Sequence, residues 1–184
     1  CRSRLQTWVK AIRETWLPLV PVHRADVKFF VGRGEGSVPE DGVILDCDDS
    51  YMGLPEKVRA MARWAVEYDY DFALKNDDDV IMRPAPMLSS GYEKHKYSGK
   101  ANRPPQPYTV PFGFNYWLDK DCLKIVAEAE LPETNDDEKW VAKNLWDHGI
   151  ELHDDPRYCL HSQLMTPIER RPLRAPKRDI PNFA

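Results

Sequence analysis

Three consecutive aspartates, Asp77-Asp78-Asp79, stand between two short apolar runs, Phe72-Ala73-Leu74 before them and Val80-Ile81-Met82 after. Adjacent carboxylates repel one another, so a chain carries three of them between apolar segments when something compensates their charge. Hard divalent cations such as Mg²⁺ or Mn²⁺ suit carboxylate oxygens and also bridge the phosphates of a nucleotide. A solvated acidic turn is the competing reading. A second acidic group, Asp136-Asp137-Glu138, opens a segment with helical periodicity. Acidic residues at a helix start complement the helix dipole, and a carboxylate aimed from there also suits a general base acting on a hydroxyl. Asp46, Asp48 and Asp49 follow a third apolar run, and for Asp48 the expectation is turn and capping chemistry. His161 stands alone within Tyr158-Cys159-Leu160-His161-Ser162, where structural and metal-ligand roles are both open.

The elements that must carry these groups follow from apolar spacing. Leu5, Trp8, Ile12 and Trp16 recur at helical intervals, with an end near Pro18. Val27 to Val31 and Val43-Ile44-Leu45 read as strands. A helix is expected from about Leu54 to Tyr68, with Val58, Met61, Ala62 and Ala65 inward, and then a strand over Phe72–Leu74. This order predicts an α/β domain with a mainly parallel central sheet flanked by helices, the triple aspartate lying at a strand end where such sheets bind ligands. The proline-bearing stretch from Pro84 to Pro111 predicts an irregular, substrate-facing region. The aromatic cluster Tyr108, Phe112, Phe114, Tyr116 and Trp117 would stack on a sugar or base there or close the core, Phe114 being the more exposed. Helices over roughly Lys120–Glu130 and Asp136–His148 come next, the second stopped by Gly149, and a late strand covers Ile150–Leu152. The predicted organisation is one domain over residues 1–166 and a basic, Pro/Arg-rich extended tail over 167–184.

A length of 184 residues suits one well-packed domain. The net charge of −4 argues against a surface that coats nucleic acid, although Arg170, Arg171, Arg174, Lys177 and Arg178 make the tail basic. Cys1, Cys47, Cys122 and Cys159 form no CxxC pair, which tells against a zinc knuckle. Cys47 and Cys122 are expected to pack as small hydrophobes in a reducing setting. No apolar run approaches the length of a membrane span, so a soluble, cytoplasmic protein is the expectation.

Taken together, several collinear motifs resemble the β1,3-glycosyltransferase family that includes the Fringe proteins and the β1,3-galactosyltransferases. They are Ile12-Arg13-Glu14-Thr15-Trp16, Phe29-Phe30-Val31-Gly32, Asp49-Ser50-Tyr51 with Leu54 and Lys57, and Lys75 through Val80. Downstream, Pro111–Leu118 is similar to the family's SGGGYVLS segment, Asp137–Ala142 to its EDVxVG segment, and Leu160-His161-Ser162 to its FHS. The resemblance covers about residues 4 to 165. It implies a GT-A fold with a DxD-type metal motif, a manganese or magnesium ion, a UDP-sugar donor and an inverting transfer. On that analogy Asp79 and His161 hold the metal with Asp78, while Asp77 and Asp78 position the donor. Arg13, Asp49 and Lys57 become donor-site candidates, and Glu138, or else Asp137, is the base. The glycine-rich segment departs from the family, since Phe114 and Asn115 replace glycines, which implies a reshaped sugar or acceptor pocket. Without a match to the family's anchor, stem and several cysteines in these residues, the expectation is a minimal soluble version of microbial or viral origin.

The acceptor expected from the resemblance is a saccharide or glycoconjugate, with a hydroxymethylated DNA base as a second class, which would have to be flipped out of the stack. Two other readings stay open at this point. One is metal-dependent phosphoester hydrolysis, which also uses clustered aspartates. The other is a non-catalytic module that binds nucleotide sugars.

Overall fold

A computed structural model describes residues 2–34, 38, 41–102 and 107–155; His161 and the predicted tail lie outside them. The architecture is mixed α/β. Helix α1 (Arg2–Glu14) leads through a 3-10 turn at Leu17–Leu19 to strand β1 (Phe29–Arg33) and strand β2 (Gly42–Asp48). Helix α2 (Leu54–Glu67) and strand β3 (Phe72–Asn76) follow, both close to their predicted bounds. Then come the short helix α3 (Pro84–Leu88), strands β4 (Tyr97–Asn102) and β5 (Val110–Asp119), helices α4 (Lys120–Glu128) and α5 (Asp137–Asp147), and a two-residue strand β6 (His153–Asp154). No helix among the described residues is long and apolar enough to cross a membrane.

The expected mainly parallel central sheet is not what forms. β1 and β2 pair in parallel as a two-stranded sheet, and a separate four-stranded sheet has the order β3-β5-β4-β6. In the second sheet β5 runs antiparallel to both β3 and β4, while β6 is parallel to β4. Two departures from the sequence reading account for the difference. The stretch after Pro84 is not one irregular region, since it carries β4, whose Tyr97-Ser98-Gly99-Lys100 has too little apolar alternation to announce a strand. The aromatic cluster lies mostly in a central strand, not a loop: Phe112, Tyr116 and Trp117 belong to β5. Only seven positions in sequence separate β4 from β5, too few for the crossover that a parallel pair needs. The late strand falls at His153–Asp154, just beyond the predicted Ile150–Leu152.

β5 divides the core between its two faces, as strand alternation requires. Tyr116 and Leu118 face α2, α4 and α5, packing with Val58, Ala62, Leu123, Val126, Val141 and Leu145. Trp117 faces the opposite way, into a second cluster with Val9 and Ile12 of α1, Trp16, Phe29, Val31 and Met87. Trp117 also stacks on Tyr92 with 3.8 Å between ring centroids. Cys47 and Cys122 are buried free thiols, as expected of small packing residues. Burial pushes both thiols above their ordinary range, Cys47 to about 11.

Local rules fix where the helices begin. Asp119 caps α4 by accepting a hydrogen bond from the Cys122 amide at 2.8 Å. Asp136 does the same for α5 from the Lys139 amide at 3.0 Å, leaving Asp137 and Glu138 in the first turn. α5 ends at Gly149, whose φ of 74° suits glycine, and the Ile150 amide closes back on the Leu145 carbonyl at 2.9 Å. The Trp140 indole, donating to the Glu130 carbonyl at 2.8 Å, pins α5 to the loop before it.

Gly32 lies close against the end of β2, at the irregularity in the β1–β2 register between Val31 and Arg33. A Cβ there would sit 2.7 Å from the Cys47 carbonyl oxygen and 2.9 Å from the Asp49 amide nitrogen, both backbone atoms that cannot swing away. Gly32→Ala is therefore expected to lower the urea midpoint at unchanged slope by an amount equivalent to about 1–3 kcal/mol. A midpoint equal to that of the parent would show that the strands can separate freely at this point.

Candidate active site

β3 delivers Lys75 and Asn76 to its carboxyl end, and the three aspartates follow at once. Asp78 and Asp79 form a turn closed by the Val80 amide on the Asp77 carbonyl at 3.4 Å. Alternation sends Lys75 to the α5 face, opposite Tyr116 in the β3–β5 register, and Asn76 to the other face, opposite Asn115. The Lys75 ammonium lies 2.7 Å from Asp77 Oδ1, 3.5 Å from Glu138 Oε1 and 3.7 Å from Asp137 Oδ2. One largely buried cation thus joins the two acidic motifs that the sequence presents 60 residues apart, as well as lying 5.8 Å from the centre of the Tyr116 ring. Sequence reasoning treated Lys75 only as part of a motif; its signal was a lone charge inside an apolar strand.

The electrostatics follow from burial. Desolvation draws the Lys75 ammonium down, but Asp77, Asp137 and Glu138 together outweigh it and hold its pKa above the ordinary value. Desolvation also raises Asp77, in spite of Lys75. Asp137 is only 3% exposed, and burial, opposed by Lys75 and reinforced by Glu138 and Asp77, pushes it up to about 7. At 3.7 Å the Lys75–Asp137 contact is an ion pair but too long for a hydrogen bond, and Asp137 Oδ2 has no hydrogen-bond partner among the described residues.

A cleft of about 700 Å³ opens between β1, β3 and α2, lined largely by apolar side chains of the two core clusters, with Lys57, Lys75, Asn76, Asp77, Asp78 and Asp137 among its polar groups. Its size is in the range of small-molecule and cofactor sites. The other expected site residues fall as follows. Lys57 reaches the cleft while donating to Asp49 Oδ1 at 2.5 Å, and the same oxygen accepts from the Gly32 amide at 3.0 Å, so this pair also clasps β1 to α2. Asp48 turns inward on its own loop, accepting from the Ser50 amide at 3.0 Å and from the Ser50 hydroxyl, as the turn reading expected. Arg13 pairs with Asp41 and lies over the Phe29 ring at 5.7 Å; Phe29 lines the cleft, but Arg13 does not. Asp79 is exposed at the turn. The exposure expected of Phe114 lies outside the described side chains.

Among the described residues no three His, Cys, Asp or Glu side chains gather to hold a metal ion. The donor set available is Asp78 and Asp79, two hard-oxygen ligands on one turn. A magnesium-type ion that keeps several waters and takes its other ligands from phosphates needs only one or two carboxylates, so this set fits such an ion and no fully protein-caged one.

No protein-family model matches the chain. Part of it is similar to the probable beta-1,3-galactosyltransferase 13 of Arabidopsis thaliana, 30% identical over 95 aligned residues, which covers 41% of this chain and 28% of the plant protein. The similarity supports a glycosyltransferase relationship. The match spans less than a third of the relative's length.

Lys75 makes a stability prediction whose sign is fixed by the carboxylates. Asp137 titrates above its unfolded-state value, so the stability linked to it is fully present below about pH 4. It is lost as the pH rises through about 7. Lys75 stays charged across that window. Removing the ammonium by Lys75→Met should therefore cost about 3–5 kcal/mol at pH 8, where buried carboxylates are left uncompensated. The cost should shrink at pH 5, where they can take up protons. Urea unfolding at both values measures this, and an equal or greater cost at pH 5 would contradict the assigned cluster.

Proposed function

We propose that the protein is a metal-dependent, inverting glycosyltransferase of the GT-A type that moves a sugar from a UDP-sugar to an acceptor hydroxyl of a saccharide or glycoconjugate. The observation that carries this reading is the Lys75 contact, which puts the acidic turn after β3 beside the acidic start of α5 at the edge of a cleft large enough for a nucleotide sugar. The similarity to a plant galactosyltransferase supports the reaction class.

In the proposed reaction Glu138 is the general base. Its side chain keeps access to solvent where that of Asp137 does not, and Lys75 fixes its aim. Glu138 takes the proton from the acceptor hydroxyl as that oxygen bonds to the anomeric carbon. The bond from that carbon to the diphosphate breaks on the opposite face, and the electron pair leaves with UDP. Lys57, oriented by Asp49, lies in the cleft where it can meet a phosphate. When bound by Asp79 with Asp78, and with His161 as a further ligand, a manganese or magnesium ion would neutralise the leaving diphosphate. β3, β4 and β6 run in the same direction, so the chain passes Asp155 on the sheet edge that bears the triple aspartate.

One observation favours Asp137 as the base instead: it lines the cleft, and burial brings its pKa close to neutrality, where a base works best. The two assignments separate by substitution. With Mn²⁺, UDP-sugars and mixed saccharide acceptors, Glu138→Gln should lower the transfer rate by about 10²–10⁴-fold while leaving UDP binding intact. Asp137→Asn should act less severely and flatten the pH profile near 7. The reverse ranking would move the base to Asp137. Asp79→Ala should abolish metal-stimulated transfer, and full, still metal-dependent activity in that variant would remove Asp79 from the site.

A further inference from the structure

Between the sheet and α5, the hydroxyls of Tyr97 and Tyr116 and Oδ2 of Asp137 are shut off from solvent, and none has a hydrogen-bond partner among the described residues. The three residues are 1%, 0% and 3% exposed. Tyr97 and Tyr116 belong to the same apolar cluster as Val141 and Leu145 of α5, and their rings meet edge to face at 5.9 Å. Lys75 joins this pair to Asp137, its ammonium lying 5.8 Å from the Tyr116 ring centre and 3.7 Å from Asp137 Oδ2. Burial raises both phenols well above their ordinary range, so they stay protonated. Asp137 is the foremost charge acting on Tyr116, and Cys122, Glu138 and Asp137 act on Tyr97.

A phenylalanine would fill either tyrosine position with the same ring. A buried hydroxyl without a partner costs free energy, and so does a buried carboxylate oxygen. Two donors and one acceptor at the same corner of the fold are the complement of one small molecule with two lone pairs and a proton to give. Water is that molecule, and a buried water makes about three hydrogen bonds. A metal cation suits the place poorly, because the Lys75 ammonium already stands beside the carboxylate oxygen. Tyr116 and Asp137 also line the cleft, which gives a water its way in.

We propose that Tyr97, Tyr116 and Asp137 hold one buried water, which accepts from both phenols and donates to Asp137 Oδ2. The groups facing Asp137 are then Lys75 and Asp77 at the end of β3, Glu138 beside it on α5, and the phenols of β4 and β5 through the water. Hydrogen bonds to the ionised carboxyl favour it, so the water opposes the effect of burial. One consequence rests on the glycosyltransferase reading: Tyr97 and Tyr116 become positioning residues, acting on Glu138 through Asp137 and Lys75. The water site itself does not rest on that reading.

The test follows the Asp137 carboxyl by carbon-13 NMR as the pH is varied in the full chain, its signal assigned by loss in Asp137→Asn. Tyr116→Phe, which keeps the ring and removes the hydroxyl, should move the titration midpoint upward by roughly half to one pH unit. Its urea midpoint should fall below the parent's at pH 8, where the carboxyl ionises, and fall less at pH 5. Tyr97→Phe should act in the same direction, and it decides the matter if Tyr116→Phe does not fold. The double variant should shift less than the two single shifts added, because both phenols act through one water. An unmoved titration, or single variants as stable as the parent at pH 8, would make the hydroxyls surplus and overturn the site. Strictly additive shifts would overturn the shared water. The pH profile of sugar transfer, measured on the same variants, should move with the carboxyl, and a fixed profile overturns the positioning role. A parent protein that transfers no sugar loses the glycosyltransferase reading, while the carboxyl titration still decides the water site.

Discussion

The Lys75 ammonium and the three carboxylates around it are the contact on which the rest of the site depends. A lysine inside an apolar strand is costly unless it meets negative charge, and the carboxylates of Asp77, Asp137 and Glu138 are costly unless they meet positive charge. Each side makes the other tolerable. The result ties the end of β3 to the first turn of α5, so two short acidic segments with no individual claim to a function become parts of one arrangement. The helix cap at Asp136 and the Trp140 anchor serve the same end, since they fix the first turn of α5 relative to the sheet.

β5 is the second organising element. It pairs on both edges, separates the two apolar clusters, and places Tyr116 under Lys75 while presenting Asn115 to Asn76 on the reverse side. Tyr116 in turn requires Gly99 opposite it, where a Cβ would come within 3.1 Å of the tyrosine Cβ. A bulky strand flanked by a glycine is how the sheet admits a buried ring without spreading.

Much of this was legible in the sequence, and the limits are physical. The helices α2, α4 and α5 were readable because apolar spacing, capping aspartates and Gly149 act locally. The two acidic clusters, Asp77–Asp79 and Asp136–Glu138, were readable as clusters, but not the lysine that joins them. The sheet was not, because β4 lacks alternation and because pairing direction is decided by which segments meet, not by either segment alone. The double duty of Asp49 and Lys57, which reach for each other and for β1 at Gly32, was equally hidden: the sequence shows two charges eight residues apart, and only the helix start brings them together. Lys75 was visible as a motif letter, yet its role emerges only when α5 folds back against β3.

The raised pKa of Asp137 has a consequence for how the site exchanges charge with its surroundings. Near neutral pH this carboxyl is poised between its two protonation states, held there by burial against the pull of a single ammonium. Whatever brings positive charge close to it tips the balance toward the ionised form and sends a proton into solution. A cation bound at this edge of the sheet would therefore release a proton, and its apparent affinity would strengthen as the solution becomes more alkaline through neutrality. The cluster would then act as a small charge buffer, one that trades a proton for an incoming cation.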